Sequence, residues 1–263
     1  MKDIWRQIIN VVALVLTVVV NGLAGTTLLN GQTTAAVSDK YPGYFTPPGY
    51  VFSIWGLIYL GLAAFAVFQA LPSQRESLPM RRIGYLFALS CLVNVAWLLA
   101  WQYEILPLTI VLMLALLGLL LAIYARLKIG LAKAPPAVKW FVHLPFSIYL
   151  GWISVATIAN FSVLLVSLGI PKTGIGAEIA TVVVLAVALL LGALMSLRRG
   201  DVAYCLVLIW AFVGIALKPS MAPSPSNLTT PTVSIAAWIS AGLVLVVMIV
   251  GIVLRLQRRP AAT

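Results

Sequence analysis

Eight stretches of this chain are almost uninterruptedly apolar, at about 7–29, 50–71, 83–103, 106–125, 140–165, 178–197, 202–217 and 233–254. A helix needs about 20 such residues to cross roughly 30 Å of hydrocarbon. None of the stretches alternates with period two, which disfavours a β-barrel. Of the 263 residues only 9% are charged, whereas soluble domains carry roughly a quarter. The expected fold is therefore all-α: a polytopic membrane helix bundle of about eight transmembrane helices. The seventh stretch is the shortest, with sixteen residues between Asp201 and Lys218. It has to thin the bilayer or snorkel at its ends.

The basic residues separate by loop. Lys2 and Arg6 precede the first stretch, Arg75, Arg81 and Arg82 follow the second, and Arg126, Lys128, Lys133 and Lys139 follow the fourth. Arg198 and Arg199 follow the sixth, and Arg255, Arg258 and Arg259 close the chain. That puts 14 on one side and only Lys40, Lys172 and Lys218 on the other. The positive-inside rule then expects both termini in the cytoplasm, consistent with an even number of crossings. The net charge of +11 is a topology signal facing anionic lipid, and no nucleic-acid partner is implied. Residues near Ala24 resemble a signal-peptide cleavage site, but seven further apolar stretches favour a retained first helix.

Chemistry-bearing residues are sparse. Cys91 and Cys205 both fall inside apolar stretches and read as small packing residues. His143, the only histidine, lies beside a basic loop and reads as interfacial, not as a metal or haem ligand. The six acids lie near ends or in loops, so a buried proton relay has nothing to run on, and Glu104 reads as a solvated loop acid. No nucleotide loop, zinc spacing, paired carboxylates or Ser/His/Asp set is present. The stretch 106–125 reads as a wall, and the last three, with isolated Trp210 and Trp238, as scaffold. Asn227-Leu-Thr229 is a chance-level sequon.

Lys40–Tyr59, KYPGYFTPPGYVFSIWGLIY, stands apart. Pro and Gly break its first half, and Pro47 and Pro48 prepare a helix start near Gly49. Tyr41, Tyr44 and Phe45 make it an aromatic loop, fit to cover a pocket. Beyond it, Phe52, Trp55, Tyr59 and Leu62 fall within about 80° of one helix face. Ser90, Asn94, Trp97 and Trp101 share a face of the third stretch, and Tyr149, Trp152, Ala156 and Asn160 share one on the fifth. Asn21 and Asn94 are carboxamides at membrane depth, where a partner or a ligand is required.

Those motifs resemble the TspO/MBR family, the tryptophan-rich sensory or translocator proteins. PPGYVF followed by Trp55 and Tyr59 is similar to its loop-to-helix signature, and Asn94-Val-Ala-Trp97 to its Asn-x-x-Trp. Trp152-Ile-Ser154-Val-Ala156-Thr157-Ile-Ala-Asn160 resembles its fifth-helix pattern. The resemblance covers roughly 10–168 and implies a five-helix bundle over 1–168, with a three-helix extension over 169–263. Some positions depart from the pattern. Tyr50 stands where the family has Trp, Trp55 falls one residue early, and Leu98 replaces Ser. No aromatic-then-basic sterol motif follows Asn160.

The resemblance implies a cavity beneath the first long loop for flat hydrophobic ligands of tetrapyrrole type. Its candidate residues are Pro47, Pro48, Trp55, Asn94, Trp97, Trp152, Ala156, Thr157 and Asn160, to which the aromatic faces add Tyr44, Phe45, Tyr59, Trp101 and Tyr149. The leading expectation is a binding protein of a bacterial plasma membrane, acting as sensor, regulator or carrier. No cofactor is obligatory, a bound tetrapyrrole being the ligand, and the last three helices offer a gate or a homodimer face. Export of hydrophobic compounds is one alternative, and light-dependent porphyrin breakdown, using the pigment and nearby Trp, is another.

Overall fold

The computed structural model describes residues 2–221 and 229–257, and among them there is helix but no strand. Asn227 of the sequon and the basic residues Arg258 and Arg259 lie outside the described residues. The main helices are α1 (Lys2–Gly25), α2 (Ile54–Ala70), α3 (Leu86–Gln102) and α4 (Leu106–Leu127). They continue with α5 (Leu144–Ser167), α6 (Ile175–Leu194), α7 (Val202–Ala216) and α8 (Pro231–Gln257). With their flanking turns, α1, α2, α4, α5, α6 and α8 are long and apolar enough to cross a membrane, while α3 and α7 are shorter apolar helices. The chain is thus a polytopic helical membrane bundle.

Chain breaks follow local chemistry. The third apolar stretch does not start at residue 83, because Gly84 takes φ +58° and ends a separate short helix, Leu78–Ile83. Only glycine adopts that conformation cheaply. Pro48 stays extended (ψ 155°), and a tight turn over Gly49–Ser53 leads into α2.

α5 is the hub, packing against α2, α4 and α7. Gly151 permits the approach of α7, since a Cβ there would lie 3.1 Å from Val207 Cβ and 3.3 Å from the Tyr204 carbonyl. Small residues at such crossings replace the hydrophobic drive that lipid cannot supply. α7 then packs on α8, and α8 on α6.

Polar ties join the helices where water is absent. Gln7 and Gln69 exchange side-chain-to-backbone bonds between α1 and α2, at 2.6 and 3.0 Å. Asn21 Nδ2 donates to Asn94 Oδ1 at 2.9 Å, and Asn94 Nδ2 donates to Tyr149 Oη at 3.2 Å. The two membrane carboxamides therefore satisfy each other.

One sequence expectation needs correction. α4 is no bare wall, for its Thr109 donates to Asn160 Oδ1 at 2.8 Å and its Tyr124 to Asp201 Oδ2 at 2.7 Å. The acids do lie near helix ends or in loops, as expected, but one of them is far from solvent. Asp201 is buried at the start of α7 and also accepts from Ser147 Oγ at 2.6 Å and the Tyr204 amide at 3.1 Å. Three donors compensate its removal from water, a requirement invisible to hydropathy.

Candidate functional site

Trp55 sits at the centre of an aromatic cluster assembled from α2, α3 and α5. It stacks on Tyr59 with ring centroids 5.4 Å apart and lies near-parallel to Trp97 at 6.4 Å. The edges of Tyr149 and Trp152 meet it at 6.1 and 6.3 Å. Trp97 in turn stacks on Trp101 at 5.7 Å, and Phe52 meets Trp152 edge-on at 5.8 Å. Such contacts contribute about 0.5–1.5 kcal/mol each beyond area burial. The one-residue displacement of Trp55 from the family pattern leaves its ring facing inward.

Between these rings lies a hollow of about 30 Å³. Of the residues singled out in the sequence, Pro47, Trp55, Trp97, Trp101, Trp152, Ala156 and Asn160 line it. Phe52, placed by the sequence on the same aromatic face as Trp55, lines it as well, and Ser38, Val155, Ala159 and Val163 line it without having been foreseen. Val163 lies about one helical turn beyond Asn160 on the α5 face and Ala159 flanks that face; Ser38 comes from the short helix Thr34–Lys40, which carries no motif. The lining is almost wholly apolar. Yet Trp97 Nε1 and Trp152 Nε1 are buried with no hydrogen-bond partner among the described residues.

The other candidates lie elsewhere. Tyr44 and Phe45 line a separate cleft between α5 and α6. Pro48 lies beside Gly214 of α7. Tyr59 backs Trp55, while Asn94 and Tyr149 are engaged with Asn21 and each other. Thr157 donates to the Ile153 carbonyl of its own helix at 2.6 Å. For Asn94 and Thr157, existing bonds occupy the groups a ligand would contact.

The proline-broken segment covers the hollow and is tied down on two sides. On one side Tyr41 Oη donates to Glu104 Oε2 at 2.7 Å, and Lys40 pairs with the same carboxylate. Glu104 is thus an anchor and not a merely solvated acid. The bonds from Lys40 and Tyr41 hold its carboxyl below the usual range, and the same contact raises Tyr41. Trp101 Nε1 donates to the Thr34 carbonyl at 3.1 Å, fixing the short helix.

On the other side the ties come from α7 and the residues just after it. Lys218 Nζ donates to the carbonyls of Gly43 and Tyr44 at 3.0 and 3.2 Å. Trp210 Nε1 donates to the Val51 carbonyl at 3.1 Å, and its ring meets Tyr50 edge-on at 5.8 Å. Trp210 is therefore not isolated. Burial pushes the Lys218 ammonium down to about 7, partly opposed by the nearby Asp39 carboxylate. Sequence gave no cue to this clamp beyond an indole and a lysine near one helix end.

No curated protein and no solved structure matches the chain significantly. A family model, that of the TSPO-like protein, matches residues 7–250 and so runs on through α6 and α7 into α8. Motif, aromatic cluster and family match agree, and the chain belongs to the TSPO-like protein family.

Proposed function

We propose that this membrane protein binds flat hydrophobic ligands of tetrapyrrole type in the hollow between Trp55, Trp97 and Trp152. The supporting observation is the pair of buried indole N–H groups of Trp97 and Trp152, which have no partner among the described residues. A buried donor without an acceptor costs about 1–3 kcal/mol. An acceptor on the ligand, such as a propionate or carbonyl oxygen, recovers that cost for both indoles. The surrounding rings then stack against its plane.

At about 30 Å³ the hollow is far below the roughly 300–1,000 Å³ of ligand sites. Binding is therefore coupled to lifting of the segment Gly43–Val51, and the clamp from Trp210 and Lys218 sets how readily it lifts. In this division of labour residues 1–168 carry the site and residues 169–263 hold its cover. The loop charges support eight crossings with both termini in the cytoplasm.

Quenching of tryptophan fluorescence during titration with protoporphyrin tests the assignment. Trp152→Ala is expected to weaken binding tenfold or more. An unchanged titration removes the hollow as the site.

A further inference from the structure

On the face of α5 turned away from the hollow lies a larger cleft, of about 490 Å³. Its walls are Ile158, Phe161 and Leu165 of α5 and Ala177, Ala180 and Val184 of α6. One end is closed by the turn joining the two helices, where Lys172 and Thr173 also line it. From Ile175 to Val184 the α6 wall runs about 14 Å at 1.5 Å per residue. That equals one leaflet of hydrocarbon, about half of 30 Å. α6 packs mainly on α8, so the gap beside α5 is not filled by any of the described residues.

An apolar gap of this size inside a bilayer does not stay empty, because its walls would lose their dispersion contacts, and water there would find few partners. The geometry points to a seat for one anionic phospholipid, its acyl chain between α5 and α6 and its phosphate at Lys172 and Thr173. The choice of headgroup follows from charge. Lys172 is exposed at that end of the cleft, and the first-turn amides of α6 have no side-chain cap among the described residues. Partial positive charge at those amides adds to the ammonium. Glu178, the one acid on that turn, does not line the cleft. The inference does not depend on what the hollow binds.

The full chain, exposed to equal amounts of phosphatidylglycerol and phosphatidylcholine in detergent and then exchanged into lipid-free detergent, supplies the test. Retained lipid is counted by mass spectrometry. The wild type is expected to keep about one phosphatidylglycerol per chain, with a preference of about fivefold from a single lysine near phosphate. Lys172→Gln, in an exposed turn, should keep the lipid but lose the preference. Ala180→Phe fills the cleft from an exposed position and should lose the lipid whatever its headgroup. Equal retention of the two lipids by the wild type, or undiminished retention by Ala180→Phe, overturns the proposal.

Discussion

Lys218 Nζ lies 3.0 Å from the carbonyl oxygen of Gly43, across 175 residues of sequence. The bond joins the end of α7 to the loop that covers the hollow, and Trp210 repeats the connection at Val51 with a 3.1 Å bond. A clamp on backbone atoms constrains where the loop runs, whatever side chains it carries.

Removing the clamp should free the cover without unfolding the bundle. In Lys218→Met and Trp210→Phe, hydrogen exchange at residues 43–51 should quicken by about tenfold, the equivalent of losing one buried hydrogen bond of about 1–1.5 kcal/mol. Porphyrin association should quicken with it. Exchange confined to wild-type rates in both variants would show that the cover is held by packing alone.

The same lysine makes stability depend on pH. Its folded-state value of about 7 lies below the ordinary 10.5, so between them the unfolded chain binds more protons than the folded one. Stability should accordingly rise as pH increases from about 7 toward 10.5 and be flat in this respect below 7. Thermal melts in detergent across that window should show the rise, and Lys218→Met should lessen it. Glu104 acts in the acid range with the opposite group type. Its lowered value means its contribution is present above the usual carboxylate range and is lost as pH falls below it.

Asn21, Asn94 and Tyr149 form a chain of side-chain bonds at 2.9 and 3.2 Å. Asn94→Ala leaves the Asn21 donor without its side-chain acceptor and should cost about 1–2 kcal/mol, in the range of interhelical bonds in membranes. The double variant with Asn21→Ala should cost less than the two singles added. Strict additivity in a cycle of unfolding measurements would argue against the pairing.

Asp201 is a buried carboxylate served by Tyr124, Ser147 and the Tyr204 amide. Asp201→Ala removes the acceptor for all three and should cost about 3 kcal/mol or more, since buried donors are then left unmade. Asp201→Asn keeps one acceptor oxygen and should recover part of that loss. A melting temperature unmoved by Asp201→Ala would mean the cluster contributes nothing to folding.

Hydropathy and periodicity are local, and they carried the broad reading. The long apolar runs determined a helical membrane bundle, and the PPGYVF, Asn94–Trp97 and Trp152–Asn160 motifs determined the family. Spacing at 100° per residue also placed Trp55, Trp97, Trp101, Trp152, Ala156 and Asn160 on inward faces, where they line one hollow. What a helix face meets depends on its neighbour's rotation and height, and no spacing within one helix records that. Only the tertiary structure therefore decided that Thr109 answers Asn160, that Tyr44 and Phe45 turn to the cleft beside α6, and that Lys218 and Trp210 hold down a covering loop whose bonded residues lie 175 and 159 positions upstream of them.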